Sequence, residues 1–421
     1  MAGRAAVFFA LGVSAAIGAW GPVAKADVVS DWNAIALTCV QGSTAPPVPA
    51  NRAGPPGLLD IVLVQAAVHD AVQAIEGRFE SYHYSDPALH GSGSVDAAAA
   101  AAAYGMLVAL YQADDPCLAG VANPAVTYAG DGGLVAGAAA AAAYVPLYRP
   151  TFVLPTDPFM GGTEPGDWRP TAPAYAPGAN GWMALTAPFV LNRASQFRTQ
   201  AADPLTSNDY AREYEEVRRL GSKFNSDRSI AQTELANFWS VNFIVQWYGA
   251  LRSIAAGHLA DTGDTARLFA LAALASADSQ IAVYDSKYHF NFWRPITAIR
   301  EGDADGNPRT VGDAAWEPYL VTPPYPDQTS GANCLAASIL TVAQRYFGTD
   351  QFAFQVSTSS PLATNKTRSY TRFSQALDEM VEARILQGIH FRSADVDGRR
   401  QGTNIGHWTY QRFLRPLPAS K

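Results

Sequence analysis

The sequence is poor in cysteine and in charge, and it has no excess of basic residues. Its three cysteines, Cys39, Cys117 and Cys334, allow one disulfide at most and form no C-x-x-C pair, which argues against a disulfide scaffold and a zinc site of the usual spacing. Charged residues make up 16% of the chain and the formal net charge is −7, so we expect no nucleic-acid partner. An anionic ligand would need a local basic pocket.

Long apolar runs are scarce beyond the N-terminus, where the pattern is that of an export signal. Arg4 precedes an apolar stretch of 16 residues, 5–20, and Ala24-Lys25-Ala26 matches an A-x-A cleavage site. We therefore predict cleavage after Ala26 and a secreted or periplasmic protein. The alternative is an N-terminal anchor helix. No other segment reaches the length of a membrane span by this criterion, so we expect none in the mature chain.

Hydrophobic residues make up 48% of the 421 residues, which suffices for two or three domain-sized units or one large bundle. Strand-type alternation is scarce, and the fold class indicated is all-α, with helical bundles. Helical periodicity is found at 58–75, 97–111, 134–144, 208–220, 230–256 and 264–284. The expected parts are a signal peptide (1–26), an N-terminal helical region (27–150), a Pro/Gly-rich covering loop (151–200) and a C-terminal helical region that carries the site (201–421).

Three short segments of the last third carry residues suited to chemistry. The first contains Lys287, Arg294 and Pro295, with Phe and Trp between the two cations. The cations are seven residues apart, which would place them on one face of a helix that ends near Pro295. The segment therefore predicts a cationic pocket with apolar walls, against the alternative of a surface pair whose charged ends reach solvent.

The second segment predicts a helix N-terminus. A Pro-rich approach ends in Thr329, Ser330 and Gly331, and an apolar face of helical spacing follows until Gly348. Free backbone N–H groups and the helix dipole favour an anion at such a position. An ordinary Ser cap is the alternative.

The third segment contains Arg384 and His390. They are six residues apart, so a straight helix would point them in different directions, and Gly388 offers a break that could bring them together. Asp395 and Asp397 follow as solvated loop acids, or as groups that orient His390 or Arg384.

Together the three segments supply two arginines, one lysine, a helix start and one imidazole. Arginine gives forked donors, lysine gives a point charge and the helix start gives backbone donors, a set that suits a tetrahedral or trigonal oxyanion such as phosphate or vanadate. The imidazole could bond to the central atom of that anion.

This pattern resembles the vanadium-dependent haloperoxidase and type 2 phosphatidic acid phosphatase superfamily. Its signature is K-x6-R-P, then P-S-G-H, then S-R-x5-H. The blocks are matched in order by Lys287, Arg294 and Pro295, by Ser330 and Gly331, and by Arg384 and His390. Outside the signature, Asp31-Trp32-Asn33, Trp168-Arg169-Pro170 and His407-Trp408 resemble the bacterial haloperoxidase-like branch.

The resemblance implies a helical fold whose bundles enclose the site, and it implies roles for these residues. The equatorial oxygens of vanadate, or of phosphate in its place, would be bound by Lys287, Arg294, Ser330, Gly331 and Arg384. His390 would be the apical vanadium ligand, or the nucleophile of a phosphatase. The partners would be hydrogen peroxide and a halide, or a phosphate ester, and a homo-oligomer stays open.

Three signature positions depart from the family. Thr329 replaces Pro, Ala383 replaces Ser and, most importantly, Ala332 stands where the family carries its acid–base His. Alanine cannot transfer protons. Possible substitutes are Asp327, Tyr325, His289 and His407, and Asp327 and His289 are preferred as catalytic residues on proximity in sequence.

Three functions follow from the resemblance. The first is an exported, vanadium-dependent haloperoxidase-like enzyme that oxidises halide with peroxide. The second is an acid phosphatase with His390 as nucleophile. The third is a phosphate- or vanadate-binding protein without catalysis, which the substitution at Ala332 suggests.

Overall fold

The structure is a computed structural model that describes residues 27–42, 53–147 and 158–418. The predicted signal peptide and its cleavage site therefore lie outside the described residues. The α-helices of the described part are α1 (Val28–Gly42), α2 (Leu58–Glu76), α3 (Val95–Tyr111), α4 (Pro124–Thr127), α5 (Gly133–Tyr144), α6 (Asn208–Leu220), α7 (Ile230–Phe238), α8 (Phe243–His258), α9 (Thr262–Phe290), α10 (Pro295–Arg300), α11 (Gly331–Phe347), α12 (Phe373–Leu386) and α13 (Arg392–Arg412).

The prediction of an all-α fold is confirmed. Among the described residues the sheet structure is one antiparallel hairpin, β1 (Gln351–Ser357) with β2 (Thr367–Arg372). Phe354 and Tyr370 pair across the hairpin with their rings stacked 5.3 Å apart, and one face of the hairpin closes over the helical core.

The core is organised around α9, a helix of 29 residues that is buried over most of its length. α2, α11 and α13 pack against it. Two helical stretches, Pro55–Glu76 and Thr262–Phe290, are long and apolar enough to cross a membrane, but both are buried inside the bundle. That burial is typical of core helices, which hide their apolar side chains against one another.

α11 and α13 approach each other closely because α13 carries three glycines spaced four residues apart. Each glycine faces a backbone carbonyl of α11, where no side chain would fit. An added Cβ would lie 2.4 Å from Ser330 O at Gly398, 2.1 Å from Cys334 O at Gly402 and 2.8 Å from Ser338 O at Gly406. We call these three residues the glycine ridge.

Two sequence-based helix predictions are wrong. The stretch predicted as one helix over 230–256 is α7 and α8, separated at residues 239–242 because Asn242 caps α8 by accepting from Ile244 N at 3.0 Å. The shared helical face of Lys287 and Arg294 is also absent. α9 ends at Phe290, Asn291 adopts a left-handed conformation (φ 51°), and Arg294 precedes α10.

The described part of the Pro/Gly-rich stretch, from residue 158 onward, contains short 3₁₀ turns before α6 and is attached to α9 by polar contacts. Asp278 accepts the backbone N–H groups of residues 189–191 at 2.7, 2.8 and 2.8 Å. Arg198 donates two bonds of 2.7 Å to Asp285. The division of the chain into regions stays a prediction.

A disulfide joins Cys39 of α1 to Cys117 in the turn after α3, and Cys334 is a buried free thiol. The sequence predicted at most one disulfide and did not indicate which cysteines form it. The bond links α1 to the turn that follows α3.

Candidate active site

The three segments that the sequence singled out converge in the interior of the bundle. Lys287 lies in the last turn of α9, Arg294 at the N-cap of α10 and Arg384 in the last turn of α12. His390 lies between α12 and α13, and Asp327 lies in the loop before α11. Each of these side chains is buried, so the cluster is part of the core and not of the surface.

Lys287 is held by the loop that leads to α11. Its Nζ donates to Pro326 O at 2.7 Å and to Asp327 O at 2.9 Å, and it lies 5.0 Å from the ring centroid of Tyr325. Two of the three ammonium protons are therefore used on backbone carbonyls. The third is left for a ligand.

Arg294 joins three parts of the chain. Its Nε donates to Tyr325 O at 2.7 Å, and its Nη1 donates to Ile389 O at 2.6 Å and lies 3.4 Å from Asp327 Oδ1. Its Nη2 is buried without a hydrogen-bond partner among the described residues. The guanidinium also lies over the ring of Tyr325, 5.0 Å from its centroid, so Tyr325 is a wall shared by two cations.

His390 and Asp327 form a dyad. His390 Nδ1 lies 2.7 Å from Asp327 Oδ1, while Arg294 Nη1 lies 3.2 Å from His390 Nε2. Burial, then Arg294 and the other cations, lower the pKa of His390 well below its usual range, so the ring is neutral. With its proton on Nδ1, donated to Asp327, the ring has its lone pair at Nε2, on the side of Arg294 Nη1.

Gly388 makes the turn that brings Arg384 and His390 together. It has φ 77°, and an added Cβ would lie 2.3 Å from Gly221 O, so both its conformation and its packing require glycine. Arg384 Nη1 donates to Gln387 Oε1 at 2.6 Å, and Arg384 Nε is buried without a partner among the described residues. The predicted break at Gly388 is thus present.

The start of α11 is buried, and no side chain caps it. Ser330 is the N-cap residue, but its hydroxyl accepts from Asn333 Nδ2 at 3.3 Å and its own N–H donates to Ala394 O at 2.9 Å. Gly331 lies against Gln280, whose Nε2 donates to Gly331 O at 3.0 Å. The first N–H groups of the helix are therefore available to an anion. The alternative of an ordinary Ser cap is wrong, because the Ser330 side chain makes no capping hydrogen bond.

Asn333 and Asp395 form a second polar pair beside the helix start. Asn333 Nδ2 donates to Asp395 Oδ1 at 2.8 Å, and Asp395 Oδ2 is buried without a partner in the described structure. Asp395 lies in the first turn of α13 and is fully buried, so the expectation of a solvated loop acid is wrong. The contact with His390 is made by Asp327 instead.

The electrostatics of the cluster favour a bound anion. Burial lowers the pKa of Lys287 well below its usual range, reinforced by Arg294 and opposed by Asp327 and Asp395. Burial also raises the pKa of Asp327 to about 6 in spite of Arg294 and Lys287. Both shifts move a buried group toward its neutral form, as expected where charges are removed from water. An anion would compensate the buried cations.

Two of the sequence-based candidates lie apart from this cluster. His289 is exposed, with its ring 4.9 Å from that of Phe290. His407 lies farther along α13 and accepts from Arg345 Nε at 2.7 Å. Asp327 is at the centre of the cluster. The sequence offered no sign of Gln387, the partner of Arg384, because a glutamine beside an arginine is an ordinary neighbour.

The donor set fits a small tetrahedral oxyanion. Arg294 Nη2 and Arg384 Nε are buried donors without partners among the described residues, and an uncapped helix start faces the same region. Buried donors of this kind are rare in folded proteins unless a ligand or water satisfies them. The site is a cation cradle with one imidazole. The described residues contain no group of three or more His, Cys, Asp or Glu side chains that could hold a metal ion.

Sequence comparison identifies relatives of the C-terminal part. The family described as "VCPO second helical-bundle domain" matches residues 267–418, which include every residue of the cluster. Vanadium chloroperoxidase from Curvularia inaequalis is 30% identical over 201 residues, 38% of this chain and 32% of that protein. The aligned part thus spans about a third of the length of that relative.

Comparison of structures extends the similarity to most of the chain. A bacterial vanadium-dependent iodoperoxidase superposes with a TM-score of 0.74 at 24% identity, covering 93% of this chain and 97% of the other. The holo form of a bacterial vanadium-dependent chloroperoxidase superposes with a TM-score of 0.69 at 17% identity, covering 93% of this chain and 98% of the other. At these identities the similarity shows a shared fold.

Proposed function

From the family match over residues 267–418 and the shared fold, we propose that the chain is a member of the vanadium-dependent haloperoxidase superfamily, exported from the cell, that binds vanadate and oxidises a halide with hydrogen peroxide. The observation that carries the proposal is the buried cradle of Lys287, Arg294 and Arg384, which leaves guanidinium donors without partners beside a neutral imidazole. Export agrees with the disulfide between Cys39 and Cys117, since such bonds persist in oxidising compartments.

The residues that would hold vanadate are those of the cradle and the helix start. Lys287, Arg294 and Arg384 would bind its oxygens as cations, and Ser330 and Gly331 would do so at the start of α11. Bound vanadate supplies an electrophilic centre at which hydrogen peroxide is activated. The surrounding apolar core excludes bulk water, which strengthens each charged contact.

His390 would face the centre of the anion through Nε2. Its ring is held from the other side by Asp327, whose carboxylate accepts the Nδ1 proton and fixes the tautomer. Asp327 is therefore a positioning residue in this proposal. Its burial against Arg294 and His390 keeps the imidazole from rotating.

The same dyad favours acid phosphatase activity as a second candidate function. A neutral imidazole with a lone pair at Nε2, oriented by a buried carboxylate, is an activated nucleophile. In that reaction Nε2 would attack phosphorus in the cradle while the bond from phosphorus to the ester oxygen breaks, and the alcohol would leave with a proton. Water would then hydrolyse the phosphohistidine to free phosphate, and the cations would stabilise the charge on the oxygens in both steps. A binding protein without turnover is the third candidate, since Ala332 supplies no proton.

Three assays on one protein preparation distinguish these functions. Peroxide-dependent oxidation of iodide or bromide after loading with vanadate supports the first. Hydrolysis of a phosphomonoester, inhibited by vanadate, supports the second. Tight binding of vanadate or phosphate with neither activity supports the third. We expect halide oxidation, and its absence together with phosphatase activity would replace the first function by the second.

A variant pair tests the role of the imidazole. His390→Ala should abolish either turnover. The control is His258→Ala, an exposed histidine on α8 whose ring lies 4.2 Å from that of Phe352, and it should retain full activity. If His390→Ala turned over as fast as the control, the imidazole would have no part in the reaction.

A further inference from the structure

Ala332 leaves the site without the titratable group that its superfamily places at the start of α11, and a buried carboxyl lies against the same helix start. That carboxyl is Asp395, in the first turn of α13. Ser330 N–H donates to Ala394 O at 2.9 Å, and the glycine ridge begins at Gly398, whose absent side chain lets α13 lie against Ser330. Asp395 is therefore fixed beside the uncapped N–H groups of α11.

One oxygen of Asp395 is committed and the other is free. Oδ1 accepts from Asn333 Nδ2 at 2.8 Å, whereas Oδ2 is buried without a partner among the described residues. A buried oxygen without a partner is a costly arrangement unless a ligand completes it. Asn333 donates to Oδ1 whether or not the carboxyl carries a proton, so it fixes Oδ2 as the atom that holds or releases one.

The groups that face Asp395 come from every element around it. Arg384 approaches from α12, Lys287 from α9 and Asp327 from the loop before α11, while Ser330 and Asn333 contact it from the start of α11. Burial dominates over these groups and raises the pKa of Asp395 well above its usual range. With Asp395 protonated, the guanidinium groups of Arg294 and Arg384 face one ionised carboxylate, that of Asp327, and the cluster keeps a positive charge for an anion even where Lys287 is neutral.

We infer that Asp395, oriented by Asn333, is the acid of this site: it holds a proton on Oδ2, donates that O–H to an oxygen of the bound oxyanion, and takes the place of the histidine that is missing at Ala332. This inference rests on the proposed function for its catalytic part. Its binding part concerns an O–H donor in the cradle, whichever anion is bound.

Two substitutions separate the donor from the acid. Asp395→Asn keeps a donor at the place of Oδ2, because Asn333 continues to donate to the remaining oxygen, but it removes the titratable proton. Asp395→Leu removes both. Inorganic phosphate is the probe, and its dissociation constant is measured by calorimetry between pH 5 and pH 9 on the full chain.

We expect phosphate affinity close to that of the unchanged protein for Asp395→Asn and at least tenfold weaker for Asp395→Leu. In the unchanged protein the affinity should fall as pH rises, because ionised Asp395 would repel the anion. The decrease in phosphate affinity that comes from ionisation of Asp395 should be absent in Asp395→Asn. The decrease that comes from deprotonation of Lys287 should remain. Asp397→Asn is the control, since Asp397 lies two residues farther along α13 and accepts from Gln328 Nε2 at 2.8 Å.

Turnover tests the catalytic part. Asp395→Asn should lower kcat tenfold or more at unchanged phosphate affinity, and adding Ala332→His to it should restore at least part of kcat by returning a titratable group. Unchanged kcat in Asp395→Asn, or unchanged phosphate affinity in Asp395→Leu, would overturn the inference. If the unchanged protein binds phosphate but has no turnover, the proposed function fails and the affinities still decide the role of Asp395. If it binds neither phosphate nor vanadate, both are wrong.

Discussion

Replacing Arg294 by lysine tests whether forked donors, and not merely positive charge, make the cradle. Arg294 is fully buried, and its three nitrogens differ in their hydrogen bonds. Nε donates to Tyr325 O, Nη1 donates to Ile389 O, and Nη2 has no partner among the described residues and can donate to a ligand. Lysine keeps the charge but ends in a single nitrogen. It can replace at most one of these donors well, because arginine's planar fork reaches several acceptors at once.

The expected loss can be worked from the bonds that disappear. A hydrogen bond from a charged donor contributes about 1.5–3 kcal/mol. If the ammonium group of the Arg294→Lys variant satisfies the loop carbonyls, the bond from Nη2 to the anion is lost, and vanadate or phosphate should bind roughly 10- to 150-fold more weakly. The measurement is the dissociation constant of each anion by calorimetry at one pH and salt concentration.

The matched control is Arg300→Lys, at the other end of α10. Arg300 Nε donates to a single carbonyl, Trp316 O at 2.9 Å, and Arg300 lies outside the cluster. Its anion affinity should stay within about twofold of the unchanged protein, since rim positions contribute little. Equal affinities for both variants would show that Arg294 gives the site only its charge, and the assignment of Nη2 as an anion donor would be wrong.

Two further predictions concern the scaffold. Asp278→Ala should lower the free energy of unfolding by about 3–5 kcal/mol in urea denaturation, because it leaves the N–H groups of residues 189–191 without their acceptor. The control, Asp285→Ala, should lower it by about 1 kcal/mol or less. Similar losses for both variants would contradict the role given to Asp278. Reduction of the Cys39–Cys117 bond, which closes a separation of 78 residues, should lower the same free energy by up to about 4 kcal/mol, and an unchanged urea midpoint would show that the bond does not stabilise the fold.

The helices were predictable where caps and periodicity agree. α6 begins and ends where the sequence predicts, because Ser207 caps it by accepting from Tyr210 N at 3.0 Å and Gly221 follows its last turn. The break between α7 and α8 was missed because the apolar pattern continues through it. An asparagine cap inside an aromatic-rich stretch is a weak local signal, and tertiary packing decides whether it is used.

The sequence predicted which residues form the site but not which of them contact one another. The order of the three segments indicated an oxyanion cradle, and the break at Gly388 was visible as a glycine between Arg384 and His390. The partner of the imidazole was not, because Asp327 lies in another segment and only the folded chain brings it within 2.7 Å of His390. The turn at Asn291 was missed for a similar reason: Trp293 N–H pairs with Gly166 O, a contact that helical spacing does not report.

The glycine ridge sets how α13 can move. Its glycines face the carbonyls of Ser330, Cys334 and Ser338 at intervals of one helical turn, so the next arrangement with comparable packing is displaced by about 6 Å along the axis. Small sliding of α13 would bring the side chains of residues beside the glycines against these carbonyls. Close backbone contact therefore fixes the distance between the first turn of α13 and the start of α11, and changes in the shape of the site should arise in the loops around the bundle before they arise in the spacing of these two helices.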